Sequence, residues 1–315
     1  MRVAPGAGRG GSGVRTDSPA VTGLLNLAKP AGITSFTAIK MARRALDERH
    51  VGHAGTLDPA ATGVLPLCVG RATRLVEYIL RQPKTYHARL RLGEVSDTGD
   101  LEGEVRRAES AAHLTETQVA AALAQFVGIV QQVPPMHSAV RHQGRHLYEL
   151  ARQGLTVERK SRPAEIRHIN LRAFSPGEVA EVEVEVICGR GTYLRVLATD
   201  LGDALGVGGL LAWLERTEYG PFKISDSVRL DQLMESPEPR SYLLPPELAV
   251  EVLPRIDLLP ASALAVQRGQ SVWIQAVSAS SAEVRAHGPD GRLIALGEVT
   301  GLRFRPTKVL LPVSG

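Results

Sequence analysis

Cysteine and aromatic residues are scarce in this sequence. Only two cysteines, Cys68 and Cys188, occur in 315 residues, and aromatic side chains make up 4% of the chain. The two cysteines lie far apart and have no CxxC spacing, so we expect neither a disulfide framework nor a cysteine-based zinc site. Such cysteine usage is typical of a protein of the reducing cytoplasm, where we expect this one to be found.

Long apolar runs are also missing. No stretch approaches the roughly 20 apolar residues that a membrane-spanning helix needs, so we expect no membrane span. Residues 1–20 contain glycine, arginine and serine but no hydrophobic segment of the kind that signal peptides carry. We interpret them as a disordered basic tail.

Composition and charge allow a folded protein with an anionic partner. The chain is 43% apolar, which supports ordinary buried cores, and 315 residues suffice for two domains. The formal net charge is +4 and the sequence pI is about 9.2. This mild basic excess favours a polyanionic partner but identifies none by itself.

One stretch, Gly52–Leu65, combines flexible backbone with a single acid, Asp58. Glycine permits backbone conformations that other residues avoid, and Pro59 restricts Asp58 to extended or turn geometry. An Asp-Pro turn before a strand is the simplest interpretation. The alternative is a carboxylate displayed from a rigid edge for chemistry.

Helix signals follow the first short apolar strand. Thr34 and Ser35 can cap a helix after the turn Lys29–Gly32. That helix carries Phe36, Ile39, Ala42 and Leu46 at three- and four-residue spacing, and Lys40, Arg43 and Arg44 on other faces. Its basic side chains are compatible with solvated surface or with a contact to RNA.

Two later segments have the alternating pattern of half-buried strands, and an arginine follows the second of them. Lys84–Leu92 alternates so that Tyr86 shares the buried face, and the valines and glutamates of 178–187 alternate in the same way. The second strand ends in a glycine turn, and Arg195 follows in a helix. A glycine turn before a helix can also bind phosphate, but the wider Walker pattern is missing. His50 and His53 lack further ligands, so we expect no metal site.

The order of these motifs resembles the TruB family of tRNA pseudouridine-55 synthases. The run from His53 to Pro59 is similar to the catalytic-loop signature of that family, whose aspartate is the nucleophile. The resemblance implies that Asp58 is catalytic and that His53 enters the RNA loop as the target base leaves its stack. It also implies that Arg195 pairs with Asp58.

Four more residues take their expected roles from the same resemblance. Tyr86 is expected to stack on the flipped uracil, which suits a flat amphipathic ring. Tyr193 is expected to line the uracil pocket, and Leu214 to pack on the base. Lys29 belongs to the Lys-Pro motif and is expected among the substrate-binding residues. Departures from the family pattern occur at Ala28, Leu210 and Glu215, in place of Asp, His and Arg.

The resemblance further implies an α+β fold. We expect a pseudouridine-synthase-type mixed, mainly antiparallel sheet flanked by helices over residues 21–240, with an RNA-clamping insertion at about 136–160. A linker then leads to a small PUA-like RNA-binding β barrel at 247–315. The pattern there predicts strands at Ser271–Ile274, Ala282–Ala286, Leu293–Val299 and Val309–Val313, with a hairpin turn at Asp290-Gly291.

The function implied is the isomerisation of uridine 55 in the T loop of tRNA to pseudouridine. This reaction needs a flipped base and one ionised carboxylate, but no cofactor. Attack of Asp58 at C1′ and removal of the 2′ proton to give a glycal are both compatible with this carboxylate. The partner expected is the T arm of tRNA, and the protein is expected to be a monomer.

Two other classes remain open at this point. A glycoside hydrolase needs two carboxylates at a set separation, for which Asp97 and Asp100 could serve, although their turn-rich context suggests capping. A non-catalytic tRNA-binding chaperone would keep the same loop for binding alone.

Overall fold

The computed structural model of the chain describes residues 21–138, 140–275 and 283–311. Within them the chain forms nineteen strands and seven α-helices. The strands are β1 (Gly23–Lys29), β2 (Val51–His53), β3 (Thr62–Val69), β4 (Lys84–Leu92), β5 (Glu94–Ser96), β6 (Val105–Arg107), β7 (Gly128–Gln132), β8 (Arg141–His142), β9 (Arg145–His146), β10 (Arg162–Ser175), β11 (Ala180–Cys188), β12 (Gly209–Tyr219), β13 (Phe222–Lys223), β14 (Val228–Arg229), β15 (Arg255–Asp257), β16 (Val272–Trp273), β17 (Glu283–His287), β18 (Leu293–Thr300) and β19 (Arg303–Val309). The helices are α1 (Ser35–Leu46), α2 (Val76–Leu80), α3 (Glu116–Ala124), α4 (Leu147–Ala151), α5 (Leu194–Ala204), α6 (Leu230–Glu235) and α7 (Pro260–Gln267).

A mixed ten-stranded sheet forms the centre of the molecule. Its path runs β14-β1-β3-β12-β4-β11-β10-β7, and β2 and β13 pair at the side with β3 and β12. Two of its pairings are parallel, β1 with β14 and β3 with β12, and the others are antiparallel. The α+β class with a mainly antiparallel sheet flanked by helices is therefore as predicted.

The local patterns explain why these elements form. In β4 every second residue is buried, and Tyr86 lies on the buried face as predicted. The hydroxyl of Thr34 caps α1 by accepting a hydrogen bond from the amide of Thr37, at 3.0 Å. At the start of α3, Thr115 and Gln118 form the reciprocal capping box that satisfies two otherwise free amides.

One residue of α1 departs from the predicted apolar face. Ile39, Ala42 and Leu46 are buried, whereas Phe36 is 58% exposed. At about 100° per residue, Phe36 lies roughly 60° to 120° around the helix from the other three side chains, so it faces away from the core.

A second, five-stranded sheet follows the linker, in the order β15-β17-β18-β19-β16. It packs on the first unit through an apolar cluster in which Leu293 and Leu310 join Leu75 and Ile79. The hairpin at Asp290-Gly291 is confirmed, since β17 and β18 pair antiparallel across it. Assignment of this sheet to the PUA type stays a prediction.

The last predicted strand is wrong. The structure has a strand at Arg303–Val309, so the chain leaves the sheet where the expected strand Val309–Val313 was to begin. The apolar run at 309–311 is instead used for packing, with Leu310 fully buried against the first unit. Residues 312–313, Ala282 and the predicted tail at 1–20 lie outside the described residues. Among those that are described, no helix is both long and apolar enough to cross a membrane.

Candidate active site

The loop that carries Asp58 connects β2 to β3 and packs against the turn before α1. The hydroxyl of Ser35 accepts a hydrogen bond from the amide of Leu57 at 2.9 Å and donates one to its carbonyl at 3.0 Å. The amide of Gly32 donates to the carbonyl of Pro59 at 2.9 Å. The Lys-Pro turn and the helix cap therefore hold both sides of Asp58.

Lys29 lies beneath this loop and is 1% exposed. Its ammonium group donates to the carbonyls of Pro30, Pro59 and Ala61 at 2.7, 3.2 and 2.8 Å. Burial lowers the pKa of Lys29 to about 8, although the carboxylate of Asp58 opposes this shift. These contacts are those of a residue that positions the loop. The predicted role of Lys29 as a substrate contact stays a prediction.

A second buried cation, Arg216, holds the other part of the loop and was missed from the sequence. It is 1% exposed, and its guanidinium donates to the carbonyls of Gly55, Thr56 and Val64 at 3.3, 3.5 and 2.7 Å. An arginine inside a largely apolar strand was the available signal, because a buried charge requires partners. Lys29 and Arg216 together donate hydrogen bonds to six backbone carbonyls of this loop and the segments beside it.

Gly63 lets the loop approach β12. Its φ is +105°, and a Cβ atom at this position would lie 2.2 Å from the carbonyl oxygen of Arg216. Gly63 pairs with Arg216 in the parallel β3–β12 contact. Because glycine has no Cβ, the two backbones can approach closely here, and the side chain of Arg216 can reach the loop.

Asp58 and Arg195 form an ion pair. Arg195 lies in the first turn of α5, and its Nη2 atom is 3.1 Å from Oδ2 of Asp58. The same nitrogen donates to the carbonyl of His137 at 2.8 Å. The side chain of Arg195 is 6% exposed and that of Asp58 43% exposed, so the carboxylate remains accessible to a ligand.

Asp100 is a second carboxylate at Arg195. Its Oδ2 atom lies 3.5 Å from Nη1 of Arg195, while Oδ1 accepts hydrogen bonds from the hydroxyl of Thr98 and the amide of Glu102. Asp97 caps the same turn by accepting from the amide of Glu104 at 2.9 Å. Both aspartates therefore cap the turn by accepting hydrogen bonds, as their sequence context suggests. Asp100 in addition orients the guanidinium of Arg195.

The charges around Asp58 act in opposite directions on its protonation. Burial raises the pKa of Asp58, the guanidinium of Arg195 lowers it, and the negative charge of Asp100 raises it further. The net shift is upward. Arg195 is thus the main group that favours the ionised carboxylate.

Two tyrosines lie near this carboxylate. Burial raises the pKa of Tyr86 and of Tyr193, and the negative charge of Asp58 adds to both shifts. The nearby guanidinium of Arg216 opposes the upward shift in the pKa of Tyr86. Tyr193 is held by Gln132, whose side-chain amide accepts from its backbone amide at 2.9 Å and donates to its carbonyl at 3.2 Å.

His53 and Leu214 complete the group of predicted site residues. His53 ends β2 just before the loop, and burial together with the charge of Arg216 lowers its pKa, which favours a neutral ring. Leu214 is partly buried in β12 and packs against the cluster that contains Leu57 and Tyr86. The seven predicted residues therefore belong to one neighbourhood around the loop. Among the described residues, no group of three His, Cys, Asp or Glu side chains could hold a metal ion.

Comparison with known proteins identifies the family of this chain. A family model described as TruB family pseudouridylate synthase, N-terminal domain, matches residues 43–194, and one described as tRNA pseudouridylate synthase B C-terminal domain matches residues 195–251. The chain belongs to the TruB family of pseudouridylate synthases. The first match ends, and the second begins, at the N-terminal end of α5, where Arg195 lies.

Relatives in the TruB family match over most of the chain. A protein of Saccharophagus degradans named tRNA pseudouridine synthase B is 39% identical over 289 residues, covering 89% of this chain and 92% of that protein. One of the same name from Symbiobacterium thermophilum is 46% identical over 249 residues, covering 79% and 82%. Among solved structures, a chain of a Cbf5-Nop10-Gar1 complex superposes with a TM-score of 0.70 at 26% identity, covering 92% of this chain and 85% of that one.

Proposed function

We propose that this protein converts uridine 55 in the T loop of tRNA to pseudouridine, with Asp58 as the catalytic carboxylate. The observation that carries the proposal is the Asp58–Arg195 ion pair, with its accessible carboxylate and its buried guanidinium. Membership of the TruB family and relatives named tRNA pseudouridine synthase B support the reaction and the substrate class. Position 55 rests on the sequence resemblance.

The chemistry is an isomerisation that needs no outside atom. The N1–C1′ bond of uridine breaks, the uracil turns within the pocket, and a C5–C1′ bond forms. The proton on C5 then leaves, and N1 takes up a proton, so atoms and electrons balance without a cofactor. The base must first leave its stack, which costs a few kcal/mol.

Asp58 acts at the sugar in either of two ways. As a nucleophile it attacks C1′ and is displaced when C5 bonds to that carbon. As a base it removes the 2′ proton as the N1–C1′ bond breaks, which gives a glycal, and the proton returns to C2′ as C5 bonds to C1′. Both routes need the ionised carboxylate, which Arg195 stabilises by a charge-assisted hydrogen bond.

The remaining site residues hold the base. Tyr86 stacks on the flipped uracil, and its hydroxyl relays the C5 proton. Tyr193 lines the pocket and Leu214 packs on the base. His53 fills the space in the RNA loop from which the uridine departs. Lys29 supports the loop from below through its carbonyl contacts.

The other parts of the chain act on the rest of the RNA. We propose that the segment 136–160 clamps the T arm, since it places arginine and histidine on the short β8–β9 hairpin. The five-stranded sheet then serves as a PUA-type RNA-binding domain behind a catalytic domain at 21–240. The protein works as a monomer in the cytoplasm.

The experiment that tests the proposal compares Asp58→Asn with the unmodified protein on an unmodified tRNA transcript. Binding is measured by filter retention, and conversion by tritium release from uracil labelled at C5. We expect binding within about twofold and no conversion. Asp47→Asn is the matched control, because Asp47 is exposed with a left-handed backbone that asparagine also adopts.

A second transcript with cytidine at position 55 tests the position. We expect the unmodified protein to bind it and to release no tritium from its remaining uridines. Full activity of Asp58→Asn would overturn the catalytic assignment, and conversion of the altered transcript would overturn the choice of uridine 55. Free uracil among the products would indicate hydrolysis instead.

A further inference from the structure

The exposed face of α1 carries a ring and two cations in line. Phe36, Lys40 and Arg44 occupy positions i, i+4 and i+8, and all three are exposed. We call these three side chains the α1 stripe. At 100° per residue they lie within about 80° of one another around the helix, and the buried side chains of α1 lie elsewhere.

The stripe begins next to the catalytic loop. Phe36 directly follows Ser35, whose hydroxyl bonds both the amide and the carbonyl of Leu57, the neighbour of Asp58. Phe36 therefore lies at the rim of the site, and Lys40 and Arg44 lead away from it. The spacing is about 6 Å per step, at 1.5 Å per residue, so the two cations can reach different phosphates of one strand.

Nothing in the fold accounts for these side chains. Phe36 is 58% exposed in a protein with only five phenylalanines. The Lys40 ammonium lies 4.7 Å from the centre of that ring, and neither Lys40 nor Arg44 has an ion-pair partner among the described residues. By contrast Arg43, on the same helix, donates to the carbonyl of Val51 at 2.8 Å. Arg43 therefore stabilises the contact between α1 and β2, whereas the side chains of the α1 stripe are available to a ligand.

We propose that the α1 stripe binds the RNA strand that continues from the flipped uridine, with a nucleobase stacked on Phe36 and phosphates at Lys40 and Arg44. The inference rests on the proposed function, since it takes RNA as the substrate at Asp58. A flat ring favours a base of any sequence, and unpaired cations favour a polyanion. The stripe thus positions the substrate without taking part in bond making.

The test uses variants at the three positions, with conservative changes as matched controls. Phe36→Leu keeps an apolar side chain but removes the aromatic ring, whereas Phe36→Tyr keeps an aromatic ring. The double variant Lys40→Gln/Arg44→Gln loses both charges, and Lys40→Arg/Arg44→Lys keeps them. All three positions are solvent-exposed, and thermal unfolding checks that the fold is unaffected. Affinity for tRNA is measured across a salt series, and single-turnover conversion is measured at saturating RNA.

We expect Phe36→Leu to weaken binding about tenfold, in the range of one base–aromatic stack, and Phe36→Tyr to bind as the unmodified protein does. The double glutamine variant should lower the slope of log affinity against log salt by about 1.5, since two phosphate contacts are lost. The charge-preserving pair should keep the slope. Conversion at saturating RNA should be unchanged in every variant.

A short stem-loop containing only the T arm locates the contact. Because the stripe borders the Asp58 loop, the same losses should appear with this RNA. Losses seen only with full-length tRNA would overturn the placement beside the flipped uridine. Unchanged affinity and salt slope in the glutamine and leucine variants would overturn the stripe itself, and would leave a protein partner as its ligand. If the unmodified protein makes no pseudouridine, the proposed function fails instead.

Discussion

Arg195 and Asp58 form an ion pair whose partners differ sharply in exposure. The guanidinium is 6% exposed and the carboxylate 43% exposed, with 3.1 Å between Nη2 and Oδ2. The cation is thus fixed by the protein, through the carbonyl of His137 and the carboxylate of Asp100, before any substrate arrives. The carboxylate is the more exposed partner, so its oxygen atoms are available to a ligand while its charge is stabilised by Arg195.

Removing the cation should change the pH dependence of the reaction. In Arg195→Met the pKa of Asp58 loses the largest influence that lowers it, so burial and the charge of Asp100 raise it further. Because the reaction needs the ionised carboxylate, the acidic limb of the rate should move to higher pH. The rate on its plateau should fall by about 10²–10³, as for loss of one preorganised charge-stabilising donor. Single-turnover rates against pH measure both effects, and Arg190→Met, at an exposed turn residue, is the control. An unshifted limb would contradict the role given to Arg195.

Asp100→Asn should move the acidic limb of the pH–rate profile in the opposite direction to Arg195→Met. The negative charge of Asp100 raises the pKa of Asp58, so its removal should shift the acidic limb to lower pH. The plateau rate should still fall, by about tenfold, because Arg195 loses one of the groups that orient it. Asparagine keeps an oxygen for Thr98 and Glu102, so the turn should persist. Asp97→Asn changes the same turn away from Arg195 and should leave the pH profile as it is. A limb shifted upward in Asp100→Asn would refute this account.

Arg216→Met should destabilise the fold. It leaves the carbonyls of Gly55, Thr56 and Val64 without their buried donor, at a cost of about 2–5 kcal/mol in the free energy of unfolding. Urea unfolding measures this cost, and Arg216→Lys should recover part of it by serving fewer carbonyls. Arg303→Met, at an exposed position of β19, is the control and should unfold with the same urea midpoint as the unmodified protein. Equal midpoints for Arg216→Met and the unmodified protein would show that the loop needs no such anchor.

Local patterns predicted much of the fold. The alternation of β4 and the cap of α1 depend on residues close in sequence, and these elements formed as expected. Three- and four-residue spacing places Phe36 with the apolar residues of α1, but the rotation of the helix turns its side chain away from the core. The strand expected at Val309–Val313 failed because the strand ends at Val309 and the next residue, Leu310, is buried in the apolar cluster shared with the first unit.

The site was predicted unevenly for a related reason. The order of the motifs predicted that the loop of Asp58 and the helix of Arg195 belong to the site. It did not assign Asp100 or Arg216 to the site. The contacts of Arg216 with Gly55 and Thr56 span 161 and 160 residues, so no local pattern encodes them. Only the pairing of β3 with β12 brings Gly63 to Arg216 and places that guanidinium under the loop.

By itself the sequence determined which residues can do chemistry and which segments become helices or strands, because side-chain identity and periodicity act over a few residues. The tertiary structure decided which carboxylates share one guanidinium, which carbonyls the buried cations satisfy, and which face of α1 stays in water. Those outcomes depend on distances between segments far apart in the chain, and on the cost of burying charge, which is set only when the sheet has assembled.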